Sequence, residues 1–376
     1  MADQLKTFFS PPLVRRLAGT IARVHPAFPA RAFTRDATRG LEALELLDRG
    51  RHISRALATH LPPAYPDAVA VLLASLGPAH DGDENLGAGM APFFYLPHVL
   101  FIAEHGLAHF DLSMHAQYEV TQRFSAEFSI RHFIAHDPER ALAQMRRWTT
   151  DPNPHVRRLV SEGTRLRLPW AMRVRWLDER PERVVDLLQL LKDDPSPMVR
   201  RSVANSLNDI GRVRPDLLVG AVKEWLADAP DARLDLVRHA TRGAVKRGDR
   251  DILRLLGYGG KAKVSLQAVT FTPSRVRIGG RVTMTFALVS TASRPQPVLV
   301  DLAVHFVKAQ ERAGRKVFKI ARLDLAAGAR AELKTTISLA VHTTRVPRPG
   351  PHAVDVLLNG VAIRAGSFVV LPARRG

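Results

Sequence analysis

Asp151-Pro152-Asn153-Pro154-His155-Val156-Arg157-Arg158 returns 43 residues later as Asp194-Pro195-Ser196-Pro197-Met198-Val199-Arg200-Arg201. Each copy spells out a junction between helices. Asp-Pro ends one helix, because proline denies the residue before it the helical region and has no amide hydrogen to offer. Asn153 or Ser196 then caps the next helix, and the following proline takes its first position, where a missing N–H costs nothing. Val156 and Val160, like Val199 and Val203, follow at a four-residue spacing and make an apolar stripe for a neighbouring repeat. The pattern predicts an α-solenoid, with a period in the range of HEAT-like repeats.

The polar positions of the repeat are equally regular. Glu162 follows Arg158 by four residues and Asn205 follows Arg201 by four, while a divergent third copy reads Arg123-Phe124-Ser125-Ala126-Glu127. Residues so spaced share a helix face. Stacking therefore predicts a polar ladder of Glu127, Glu162 and Asn205, with Asp209 one turn further. Any single Arg–Glu pair reads as an ordinary surface ion pair. Three at corresponding places fit the binding face of a solenoid.

The 376 residues carry 55 Lys and Arg against 36 Asp and Glu, a formal charge of +19, which points to a polyanionic partner, nucleic acid before membrane. Residues 261–376 hold 19 of the cations and only 5 of the acids. With no cysteine there is no disulfide framework, thiolate metal site or thiol catalysis. The N-terminus lacks the apolar core of a signal peptide, and the most apolar run, Phe93 to Ala103, is broken by Pro97 and His98 and too short for a bilayer. A soluble, cytoplasmic protein is expected.

Leu13, Leu17, Ile21 and Val24, then Leu41, Leu44 and Leu47, then Val69, Leu72, Leu73 and Leu76, predict helices through residues 1–77. Asp81, Asp83 and Asn85 resemble the start of a calcium loop. Leu86 stands where that loop needs glycine and no glutamate closes it, which rejects the reading. His105 and His109 lie four apart but lack an intervening glutamate and a third ligand, so a solvated or capping pair is expected and no metal. Helical signals continue from Tyr95 to Gly257, and Gly257-Tyr258-Gly259-Gly260 reads as a linker.

Beyond it the period becomes two: Val282, Met284, Phe286, Leu288; Val298, Val300, Leu302, Val304, Phe306; Ile337, Leu339, Val341; Val354, Val356, Leu358. Asn359-Gly360 is a two-residue hairpin signal. Short strands over about 110 residues describe an immunoglobulin-like β-sandwich without its disulfide. The expected organisation is multidomain, α then β: a HEAT-like repeat domain over 1–257, a linker over 258–262 and a basic sandwich over 263–376. Arg275, Arg277, Arg281, Lys308, Arg312, Arg315, Lys316 and Lys319 are expected on the sandwich surface, where so much charge favours phosphate contact.

The repeated Val-Arg-Arg, with Ser161-Glu162-Gly163-Thr164-Arg165 and Ala204-Asn205-Ser206-Leu207-Asn208-Asp209-Ile210, resembles bacterial DNA alkylation repair glycosylases built from HEAT-like repeats. Thr121-Gln122-Arg123-Phe124-Ser125-Ala126-Glu127-Phe128 and Leu168-Pro169-Trp170-Ala171 resemble the AlkC branch, in which an immunoglobulin-like domain follows the repeats. The resemblance implies excision of bases alkylated at ring nitrogens, chiefly 3-methyladenine with 3-methylcytosine second, without base flipping and without a cofactor. The implied partner is double-stranded DNA containing alkylated bases, met by a monomer. A cationic base leaves without a general acid, and the oxocarbenium-like sugar calls for fixed carboxylates, an aromatic face and a positioned water. Glu127 and Glu162 are the expected carboxylates, Trp170 the aromatic face and Asp209 a supporting acid. Arg123, Arg158, Arg165, Arg201, Asn205, Asn208, Lys308, Arg315 and Lys316 are the expected DNA contacts. A core aromatic after Pro169 remains an equal reading of Trp170.

Composition and repeat period fit a non-catalytic HEAT-repeat scaffold for nucleic acid or an acidic protein equally well. Glutamates on a basic face have little use in such a scaffold, since carboxylates repel phosphate. A metal-dependent hydrolase lacks a ligand cluster.

Overall fold

The computed structural model describes residues 5–82, 91–307, 314–341 and 346–373. The chain forms two compact units, Met1–Ala240 and Thr241–Gly376.

The first unit is helical, and its two repeat junctions are built alike. Asn153 N donates to Asp151 Oδ1 at 2.8 Å and Ser196 N to Asp194 Oδ1 at 2.9 Å. Asn153 Oδ1 then accepts from His155 N, and Ser196 Oγ from Val199 N, so the helices Pro154–Gly163 and Pro197–Ile210 begin as expected. The first arginine of each Arg-Arg pair is a staple. Arg157 Nη1 donates to the carbonyls of Asp151 and Pro152, and Arg200 Nη1 to those of Asp194 and Pro195. Arg157 also reaches Asp194 at 2.7 Å, tying one repeat to the next. Val156, Val160, Val199 and Val203 are fully buried, and the Pro154–Gly163 helix packs between Glu127–His136 and Pro197–Ile210.

The divergent third copy behaves differently. One helix ends at Thr121 and the next begins at Glu127, so Arg123 and Glu127 share no helix face. Arg123 instead pairs with Glu119 at 2.8 Å and donates to Gly77 O. At the N-terminus Leu13, Leu17 and Ile21 are buried, whereas Val24, the last residue of its helix, is exposed. His105 closes one helix and packs on Phe101, while His109 lies in a separate turn stacked on Tyr65. Asp83, Asn85 and Leu86 lie outside the described residues. Among the described residues no helix is long and apolar enough to cross a membrane, and no three His, Asp or Glu side chains group as metal ligands.

The second unit holds β1 (Val264–Thr272), β2 (Arg275–Arg277), β3 (Arg281–Ser290), β4 (Gln296–Phe306), β5 (Gly314–Leu325), β6 (Arg330–Ser338), β7 (Gly350–Leu358) and β8 (Val361–Leu371). One sheet has the order β1-β3-β6 and the other β2-β8-β7-β4-β5, antiparallel except for β2 beside β8. The alternating residues read from β3, β4 and β7 meet between the sheets with Ile337, Leu339, Phe368 and Val370. Val341 is exposed, beyond the end of β6. Asn359 and Gly360 both have positive φ and close the β7–β8 hairpin. Glycine is favoured at 360 by its φ of +79°, which side-chain-bearing residues rarely adopt, and a Cβ there would also press on the Leu253 side chain. Two short helices, Arg242–Arg247 and Arg250–Leu255, thus belong with the sandwich, and Gly260 O accepts from Asn359 Nδ2 at 3.0 Å.

Candidate active site

Glu127 opens the helix Glu127–His136, and Glu162 sits in the last turn of Pro154–Gly163. Packing of those helices brings the two carboxylates to one guanidinium: Arg158 Nη2 lies 3.5 Å from Glu127 Oε2 and 3.8 Å from Glu162 Oε2. Ser125 Oγ donates to Glu127 Oε2 at 2.7 Å. Glu162 is held more tightly. It accepts from Arg165 Nη1 at 2.7 Å and from Ser202 Oγ at 2.6 Å, and Arg165 Nε continues to Asp209 Oδ2 at 2.9 Å. Glu127, Arg158, Glu162, Arg165 and Asp209 thus form an alternation of acids and arginines, with Asn205, the other member of the expected ladder, turned to His239 instead. Asp209 is buried and joins the carboxylate pair through Arg165.

Unequal partnering sets the two glutamates apart electrostatically. Burial raises the Glu127 pKa, Arg158 offsets only part of that, and the charge of Glu162 adds to the rise. Burial acts on Glu162 in the same direction, but Arg158, Arg165 and the Ser202 hydroxyl together hold its pKa below the ordinary value. Neighbouring carboxylates with pKa values pushed apart are suited to different roles, one a fixed anion and the other a proton acceptor.

Both glutamates line an open cavity of about 290 Å³ with Arg158, Arg165, Trp170 and the apolar residues Phe93, Phe124, Phe128 and Leu168. Trp170 is 59% exposed, which rules out the core reading of this residue. Its φ is +65°, a left-handed conformation that a bulky side chain rarely takes. Such a residue costs of order 1–3 kcal/mol and persists only where its surroundings over-determine it.

Relatives share this architecture along its whole length. Residues 121–247 match the family described as DNA alkylation repair enzyme, and residues 265–372 match the C-terminal Ig-like domain of the uncharacterised protein YhaZ. YhaZ of Bacillus subtilis (strain 168) is 34% identical over 367 residues, 96% of this chain and 97% of that protein. Pseudomonas fluorescens alkylpurine DNA glycosylase AlkC, bound to DNA containing an abasic site analog, superposes with a TM-score of 0.90 at 36% identity, covering 98% of this chain and 99% of AlkC. The chain belongs to the DNA alkylation repair enzyme family.

In this alkylation repair family member the residues expected to meet DNA fall into separate groups. Arg201 is exposed and makes no ion pair among the described residues. Arg158 and Arg165 are turned to carboxylates, and Arg165 has both Glu162 and Asp209 as partners. Arg123 is turned to Glu119. Asn205 is half-buried, with its Oδ1 3.1 Å from His239 Nε2. Asn208 is only 4% exposed, on the buried side of the Pro197–Ile210 helix next to Asp209. Arg315 and Lys316 are exposed on β5, Lys316 over the Phe318 ring, and Lys308 and Arg312 lie outside the described residues.

Sequence reasoning missed Ser202, the apolar wall and Arg131. Ser202 stands where the preceding repeat has Leu159, so the period hides it. Phe124 and Ser125 lie inside the divergent copy, between the Arg and Glu that drew attention. Arg131 was legible only as a lone charge between Ile130 and Phe133; it is 1% exposed, and burial lowers its pKa to about 10.

Proposed function

We propose that this chain is a monomeric, cofactor-independent DNA glycosylase that hydrolyses the N-glycosidic bond of N-alkylated, cationic bases in double-stranded DNA. 3-Methyladenine is the first candidate base and 3-methylcytosine the second. The observation that carries the reading is the carboxylate pair of Glu127 and Glu162 lining one cavity together with an exposed, strained Trp170. AlkC, an alkylpurine DNA glycosylase whose structure holds DNA containing an abasic site analog, supports the same reading.

As the bond breaks, its electron pair goes to the base, which leaves neutral, and positive charge develops on the sugar. Glu162, kept anionic by Arg158 and Arg165, stabilises that charge, and the face of Trp170 lies against the deoxyribose. Water adds to the anomeric carbon and gives its proton to Glu127, whose raised pKa suits a base. The base stays in the stack instead of turning into a pocket. A non-catalytic scaffold gains nothing from a partly buried glutamate whose charge burial disfavours.

Methylated duplex DNA incubated with the protein, followed by chromatography of released bases, tests the reading. 3-Methyladenine should appear with the parental protein and be nearly absent with Glu127→Gln. No released base from the parental protein would overturn it.

A further inference from the structure

Arg131 does not line the cavity, yet its guanidinium holds the backbone at Gly163, Arg165 and Met172, next to or flanking the lining residues Glu162, Arg165, Leu168 and Trp170. It lies one turn beyond Glu127 on the same helix. Its Nη1 donates to Gly163 O and Arg165 O, both at 2.8 Å, and its Nε to Met172 O at 2.7 Å. Gly163 ends the helix that carries Glu162, and its carbonyl is one of those a helix leaves unsatisfied. A cation there is favoured by the helix dipole. Arg165 and Met172 flank the turn that contains Trp170 at φ +65°. The approach is close as well, since a Cβ on Gly163 would come within 2.6 Å of Ile130 beside Arg131.

We infer that Arg131 is a positioning residue, a buried clamp that fixes Trp170 against Glu127 and Glu162 by holding both ends of the Arg165–Met172 turn. This rests on the proposed glycosylase reading for its catalytic consequence but not for its structural one. Lysine cannot replace the arginine. An ammonium is a point charge without the planar fork that spans Gly163, Arg165 and Met172 at once. Loss of the fork frees the strained turn to relax, and the indole leaves the cavity wall.

Arg131→Lys, which keeps charge and stem, is compared with the parental chain, Trp170→Ala and the double variant. Three quantities are read: single-turnover excision, affinity for abasic-site duplex, and iodide quenching of Trp170 fluorescence, obtained by subtracting the emission of the matching variant without Trp170. We expect Arg131→Lys to slow excision roughly 10- to 100-fold, the loss typical of a misplaced catalytic geometry. Abasic-site affinity should stay within about threefold and Trp170 quenching should rise. On the Trp170→Ala background the same change should cost almost nothing, because residues acting through one another are non-additive. Unchanged quenching, or an equal slowing with and without Trp170, overturns the inference. If the parental protein releases no base, the glycosylase reading fails, and quenching alone still decides whether Arg131 clamps the turn.

Discussion

Glu127 and Glu162 come from different helices and share one counter-ion, Arg158, at 3.5 and 3.8 Å, yet only Glu162 has a second arginine. The asymmetry makes conservative substitutions diverge. Gln at 127 removes a charge that burial disfavours, so stability should hold level or rise. Gln at 162 removes the charge of a buried pair and leaves an amide N–H2 facing one of its two present donors, Arg165 or Ser202, at a cost of about 3–5 kcal/mol. Excision should fall in both by roughly two to three orders of magnitude, the scale for one preorganised electrostatic group. Chemical denaturation beside single-turnover assays gives both quantities. A parental excision rate in Glu127→Gln would remove that residue from the mechanism.

Trp170 separates strain from chemistry. Glycine accepts φ +65° freely and alanine does not, so Trp170→Gly should be more stable than Trp170→Ala by about 1 kcal/mol. Both should lose excision, since neither offers an aromatic face. Urea midpoints rank the pair. If alanine proved the more stable, the left-handed turn would not be held under strain.

The solenoid was legible because its signals are local. Proline at the first helical position, a cap before it and valine at four-residue spacing each act within one turn, and the 43-residue echo multiplies them. The sandwich was legible from a period of two. Side-chain pairing was less so. Arg123 and Glu127 have the spacing of a helical pair, but the chain turns between them, and spacing alone carries no helix boundary. Asn208 and Asp209 adjoin in sequence and are both buried, yet only Asp209 pairs with Arg165, a distinction that depends on the neighbouring repeat. Arg131 was invisible because its partners are backbone carbonyls 32 to 41 residues away, which have no residue type to read.

Charge on β5 gives a third expectation. Arg315 and Lys316 are exposed, and each phosphate contact contributes about 0.9 to the slope of log affinity against log salt. Replacing both with alanine should lower that slope by up to about 2, measured by fluorescence anisotropy on duplex DNA at several salt concentrations. Arg201→Ala tests the helical unit in the same way. An unchanged slope in the sandwich variant would take these two residues out of the DNA contact.

His98 bears on stability. It is fully enclosed, one ring nitrogen lacks a partner, and burial lowers its pKa to about 4. An unfolded histidine titrates near 6.5, so between those values the unfolded chain binds the extra proton and stability is lost as pH falls. The difference predicts a loss of about 2 kcal/mol from pH 7 to pH 5 attributable to this ring. His98→Phe should flatten that part of the pH dependence of urea unfolding. An equally steep fall in the variant would assign it to other groups.

The pH profile of excision is the sharpest test of how the carboxylates divide their work. A base must be ionised to accept a proton, so the rate should fall tenfold per pH unit below the Glu127 pKa. Burial and the Glu162 charge both raise that pKa, which sets the acid limb above the ordinary glutamate range near 4.3. Glu127→Gln should abolish the limb. Glu162→Gln should instead shift it to lower pH, because a repelling charge is gone and Arg158 is left to Glu127 alone. If the limb stayed put in Glu162→Gln and vanished in Glu127→Gln, the two groups would titrate independently, and their shared arginine would have no part in setting the base.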